Sequence, residues 1–179
     1  MKTLNGHTVA ITGAANGLGH ALAHGFATQG SHLALCDIDV EGLQHTEKTL
    51  GAAFPNLRIS IHTVDVTQVE DVARFFEEAL QAHPSIQVLI NNAGKSSTAS
   101  FLDHSIEQWQ HIIDVNLMGV FYGCHTFLPH LLTQPEAHIV NISSIFGLVG
   151  VPGQSAYCAS KFAVRGLSES LWVELANTN

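Results

Sequence analysis

A doubly wound, parallel α/β sheet is the fold class this sequence predicts, and three observations predict it. Short β-rich, nearly continuous apolar runs alternate with longer amphipathic segments along the whole chain. That alternation calls for right-handed βαβ crossovers, and apolar continuity fits strands covered by helices on both faces. The 179 residues are 46% hydrophobic and 12% charged, which suits one domain, 1–179, with a substantial core.

The elements follow in order. HTVAIT (7–12) is the first strand, succeeded by a glycine turn and a helix reaching about Gln29. SHLALCD (31–37) is the second strand, and Val40 to about Ala53 the second helix. LRISIHTVDV (57–66) is the third strand. The segment 67–83 is a helix opened by Thr67 as N-cap, with Glu70 at the capping-box position. IQVLINN (86–92) reads as a buried strand. The stretch 105–132 is one long helical segment, capped by Ser105 and perturbed near its end by Pro129. AHIVNIS (137–143) is the fifth strand; a loop with Gly147, Gly150, Pro152 and Gly153 leads to a last helix, 156–176. No internal repeat, linker or low-complexity tract interrupts the pattern.

Composition excludes several function classes. Net charge is −8 and no Lys/Arg cluster appears, so nucleic acid and anionic membrane are not expected partners. No apolar run reaches spanning length, and MKTLNGHTVAITG lacks a signal-peptide core. Cys36, Cys124 and Cys158 are too few and too scattered for a disulfide framework or a C-x-x-C metal site. Free thiols in a leaderless chain fit a cytoplasmic location. His20 and His24 stand at i,i+4, but neither a flanking Glu nor a third ligand accompanies them, so no metal is expected.

After the first strand comes TGAANGLG, with glycines at 13, 17 and 19. Glycine there permits unusual backbone conformations, and a helix starting at Gly17 aims free N–H groups at a pyrophosphate. The second strand ends in Asp37, 18 residues past Gly19. A carboxylate at that place accepts from an adenosine ribose diol and repels a 2′-phosphate. With no Arg or Lys in the turn or next to Asp37, the reading is a Rossmann-like site for NAD rather than NADP.

YCASK places Tyr157 and Lys161 one helical turn apart. A cation about 4 Å from a phenol, at an effective dielectric near 20, offers roughly 4 kcal/mol, or about three pKa units. That brings tyrosine near a working pH for general acid/base chemistry. Ser144 lacks the G-x-S-x-G elbow, and no histidine–acid pair is identifiable as its activator, which sets a hydrolase reading aside.

The G-x-x-x-G-x-G spacing, NNAG (91–94), NISS (141–144) and Y-x-x-x-K (157–161), in this order, resemble the single-domain branch of the short-chain dehydrogenase/reductase family. The resemblance runs from about Thr8 to the last residue. It implies that Gly13, Asn16, Gly17, Leu18 and Gly19 cradle a pyrophosphate and that Asp37 holds the adenosine ribose. Asp65 and Val66 match adenine contacts, and Asn92, Ala93 and Gly94 the segment along the cofactor. Tyr157 matches the acid/base. Lys161 matches the residue that lowers the pKa of Tyr157 and binds the nicotinamide ribose. Ser144 matches the serine bonding the substrate oxygen, its neighbour Ser143 being expected to face the sheet. Asn116 matches an asparagine that anchors water reaching the lysine.

The expected activity is interconversion of a secondary alcohol and a ketone. The alternatives are an NADPH-dependent 3-ketoacyl reductase, or a truncated non-catalytic relative that binds nucleotide or dimerises. Members of the family continue with a sixth and a seventh strand. The chain stops at Asn179, so the expectation is strands one to five only, a C-terminally incomplete domain with an open edge at 137–143. The loop 145–154 carries no charge, which favours an apolar substrate. The resemblance also implies a homodimer or homotetramer paired through 105–132 and 156–176. Surplus apolar residues on the last helix agree with that.

Overall fold

The structure, a computed structural model, describes residues 3–178; Met1, Lys2 and Asn179, the ends of the expected domain, lie outside the described residues. Strands β1 (Thr8–Thr12), β2 (His32–Asp37), β3 (Ile59–Thr63), β4 (Val88–Asn91) and β5 (His138–Asn141) form one sheet in the order β3-β2-β1-β4-β5. Every pairing is parallel. Helices α1 (Gly17–Thr28), α2 (Val40–Ala53), α3 (Val69–Ala82), α4 (Ile106–Ile113), α5 (Gly119–Leu131) and α6 (Ser155–Glu174) connect and cover it. No sixth or seventh strand is present among the described residues. None of the described helices is long and apolar enough to cross a membrane.

The period-2 alternation of side chains divides the core between the two faces of the sheet. Val9, Ile11, Leu33, Leu35, Val88 and Ile90 pack with Ala23 and Ala27 of α1 and Leu43 and Leu50 of α2. Ala10, Ala34 and Leu89 turn the other way, against Val72 and Phe75 of α3 and Phe127 and Leu131 of α5. Because β1 is flanked by β2 on one side and β4 on the other, the direction in which successive strands are added to the sheet switches there. A crevice opens at the carboxyl ends of β1 and β4, the place where such sheets bind ligands.

Three local expectations are corrected. The strands are shorter than the apolar runs, β3 spanning Ile59–Thr63 and not 57–66. Helix α3 begins at Val69 with no side-chain cap; the Thr67 hydroxyl instead donates to Asp65 Oδ1 at 2.8 Å, so it is not the N-cap. The stretch 105–132 is not one α-helix: a π-helical turn, Asp114–Met118, separates α4 from α5. Ser105 does cap α4, in a reciprocal capping box with Gln108, and Pro129 is accommodated two residues before the end of α5. The β5 edge is open, with Val140 40% exposed. A groove of about 520 Å³ runs beside it between α5 and α6, lined by Leu131, Ile139, Leu171 and Trp172.

Under α3, Ser60 Oγ is hydrogen-bonded at 2.9 Å to both His83 Nε2 and His62 Nε2, and His62 Nδ1 pairs with Glu78. His83 is buried, and burial, reinforced by Arg58, His32 and His62, lowers its pKa from 6.5 to about 4. A histidine whose folded value lies below its unfolded one resists protonation in the native state while the unfolded chain takes the proton up. Stability therefore falls as pH drops from 6.5 towards 4. Denaturant melts across that window should show a loss on the order of 2 kcal/mol assignable to this residue. His83→Gln should flatten the dependence, and an unchanged slope in the variant would refute the assignment.

Candidate active site

The crevice is built from the glycine turn outward. The β4 end is stitched to this turn. Asn92 Nδ2 donates to the carbonyls of Thr12 and Gly13 at 3.0 and 2.9 Å, and Thr12 Oγ1 accepts from the N–H groups of Asn92 and Ala93 at 3.0 Å each. A Cβ at Gly19 would sit 1.9 Å from the Gly13 carbonyl, so the first turn of α1 rests directly on the turn before it. Gly17 has φ +53°, and a Cβ there would meet nothing within 4 Å: the space above it is open.

Asp37 is held by the backbone. Its Oδ2 accepts from Ala15 N–H at 2.9 Å and its Oδ1 from Asp39 N–H at 3.0 Å. Each ionised oxygen keeps a further acceptor site.

These parts line a cleft of about 610 Å³. Of the residues singled out in the sequence, it brings together Gly13, Asn16, Leu18, Gly19, Asp37, Asp65, Val66, Asn92, Ala93, Gly94, Tyr157 and Lys161. Gly17, Asn116 and Ser144 lie outside that lining. Asn116 is fully buried in the π-helical turn. Its Oδ1 accepts from Lys95 N–H at 2.7 Å, and its Nδ2 donates to Lys95 C=O at 2.8 Å and Ser160 Oγ at 3.0 Å. Ser144 caps a 3-10 turn, Ile145–Gly147, its Oγ accepting from Phe146 N–H at 3.2 Å. The Phe146 ring meets Tyr157 edge-on at 6.0 Å. Ser143 donates to the Lys161 carbonyl at 2.9 Å, so it is turned to α6 and not, as expected, to the sheet.

Tyr157 and Lys161 share a face of α6, but the cation does not sit as simple helical spacing suggests. Lys161 Nζ lies 5.6 Å from the centre of the Tyr157 ring and donates to the Ile142 carbonyl at 2.7 Å. Burial lowers the Lys161 pKa below its ordinary value. A Cβ at Gly94 would come within 3.6 Å of that ammonium, so glycine keeps the space beside it free.

Sequence reasoning missed Lys95, Ser96, His111 and Val115, which also line the cleft. A signal was present: Lys95 directly follows NNAG, and His111 and Val115 are i,i+4 on the segment leading to Asn116. Of the histidine pair of α1, His20 bonds Thr46 Oγ1 at 2.9 Å and His24 meets the Phe54 ring edge-on.

A family model described as short chain dehydrogenase matches residues 7–179. The putative oxidoreductase SadH of Mycobacterium tuberculosis is 39% identical over 178 residues, 98% of this chain and 63% of its own length. Epidermal retinol dehydrogenase 2 of Homo sapiens is 40% identical over 173 residues, 97% of this chain and 56% of its own. Among solved structures, a short chain dehydrogenase/reductase from Burkholderia phymatum in complex with NAD is 37% identical with a TM-score of 0.95. That match covers 99% of this chain and 63% of the other. The chain thus spans less than two thirds of the length of these three proteins.

The two glycines of α1's first turn should respond differently to a methyl group. Gly19→Ala drives a Cβ into the Gly13 carbonyl and should cost about 3 kcal/mol or more. Gly17→Ala meets open space and should cost only about 1 to 2 kcal/mol, from its positive φ. Denaturant midpoints compare them, and equal losses would contradict this account of the turn.

Proposed function

The chain belongs to the short chain dehydrogenase family, and from that premise we propose that it interconverts a secondary alcohol and a ketone, with NAD as cofactor. The observation that carries this is convergence: Tyr157 and Lys161 open into the same cleft as the glycine turn and Asp37. The residues fit a dinucleotide. Open space lies above Gly17 at the start of α1, Gly94 leaves room beside Lys161, and Asp37 is fixed with acceptor sites to spare. The Asp37 carboxylate, with no Lys or Arg in the turn, favours NAD over NADP.

The nicotinamide, when bound, supplies the hydride acceptor or donor. In alcohol oxidation Tyr157 Oη takes the hydroxyl proton as the carbonyl forms; in reduction it returns a proton to the carbonyl oxygen. The Lys161 ammonium, over the Tyr157 ring, stabilises the negative charge of the phenolate. Ser144 Oγ already accepts from Phe146 N–H, which leaves its own proton free to donate to the substrate oxygen. Asn116 is a positioning residue that braces Lys95 and Ser160, next to Lys161. Ile145, Leu148 and Val149 expose apolar surface on the loop next to Ser144, which favours an apolar alcohol. Phe121, Phe162 and Trp172 leave apolar surface on α5 and α6, the faces through which two copies would pair.

Titration with NAD+ and NADP+, followed by turnover with an apolar secondary alcohol, tests the reading. NAD+ should bind at least about tenfold more tightly than NADP+. Tyr157→Phe should lower kcat by about a hundredfold or more while leaving the NAD+ Kd within about twofold. Full turnover in Tyr157→Phe would sink the mechanism. For the pairing, light scattering should give a dimer or tetramer mass, and a monomer would overturn it.

A further inference from the structure

Lys95 sits where the end of β4 meets the cleft, and its backbone is clamped at both polar groups by the Asn116 amide. Its ammonium reaches towards α4 and lies 3.3 Å from His111 Nε2. An ammonium has only donors, so in this contact His111 Nε2 accepts and the Lys95 side chain is drawn along the α4 wall. His111 and Val115, one helical turn apart on that wall, line the same cleft.

The cations of the cleft differ in accessibility. Its carboxylates are Asp37 and Asp65, and its Lys/Arg residues among the described residues are Lys95 and Lys161. Lys161 is buried, with its ammonium on the Ile142 carbonyl. Lys95 is exposed, and none of the ion pairs among the described residues includes it. The glycine turn itself contains no cation. A molecule carrying two phosphates, entering this cleft, meets one accessible ammonium.

We propose that Lys95, oriented by His111, is a phosphate-binding residue of the dinucleotide site and supplies the side-chain cation that the glycine turn lacks. This rests on the proposed dinucleotide cofactor. Lys95 makes the contact, and His111 is a positioning residue that limits where the ammonium can go. A cation held this way stabilises bound phosphate while the cleft is open to solvent, so its effect declines with salt.

The test is fluorescence titration with NADH, with ADP and adenosine as displacing ligands. Lys95→Ala should weaken NADH and ADP binding by about tenfold and leave adenosine within about twofold. Lys95→Arg should restore most of the loss. Raising KCl from about 50 mM to about 500 mM should weaken NADH binding more in the wild type than in Lys95→Ala. His111→Ala should cost about threefold and His111→Gln, which keeps an acceptor, should recover it. Unchanged NADH binding in Lys95→Ala, or an equal loss for adenosine, overturns the proposal. If the wild-type chain binds no NADH, the dinucleotide reading itself fails and this inference with it.

Discussion

Asn116 lies fully buried in the π-helical turn, and the fold brings two separate segments to its amide. Its Oδ1 and Nδ2 take both backbone groups of Lys95 at the end of β4, and Nδ2 reaches Ser160 on α6 as well. Removing that amide would take the side-chain partner from both backbone groups of Lys95, at a cost of about 1 to 3 kcal/mol for each group left unpaired. Its consequence is geometric. Lys95 continues the segment that is stitched to the glycine turn, and Ser160 precedes Lys161. One side chain therefore ties the glycine-turn side of the cleft to the helix that carries Tyr157. The π-helical turn separates α4 from α5 at that point, which agrees with the tendency of such turns to mark functional sites.

Much of this architecture can be read from the chain. The parallel, doubly wound sheet follows from alternating apolar runs and right-handed crossovers, and Ser105 announces the start of α4. The glycine turn, Asp37, Asn92 to Gly94 and the Tyr157–Lys161 pair line one cleft, as the family resemblance implies. Other features depend on contacts that no local pattern encodes. Thr67 has the form of an N-cap, yet the nearby Asp65 carboxylate captures its hydroxyl, and α3 starts two residues later. The π-helical turn reflects what Asn116 must reach across the structure, and helix periodicity carries no trace of that. Asn91 and Asn141 look like polar strand ends. They prove to be bonded to each other at 2.8 Å across β4 and β5, with Asn141 also bonded to Ser168 of α6.

Lys161 shows most clearly where stability and chemistry part. It is 3% exposed, and none of the ion pairs among the described residues gives it a carboxylate. Taking an ammonium out of water without an opposite charge costs several kcal/mol, which a cation–π contact of about 0.5 to 2 kcal/mol does not offset. Its depressed pKa has that desolvation as its cause. What holds the group is the Ile142 carbonyl, and that carbonyl is aimed by the sheet, since Ile142 N–H donates to Asn91 C=O at 3.0 Å and extends the β4–β5 ladder. The sheet thus presents an acceptor to a cation that the core alone would reject. In the proposed reaction the missing negative charge arrives when Tyr157 gives up its proton. The cost of burying the ammonium is then a property of the resting site that the ionised tyrosine relieves, and this is why a lysine occupies a place where packing alone would favour an apolar residue.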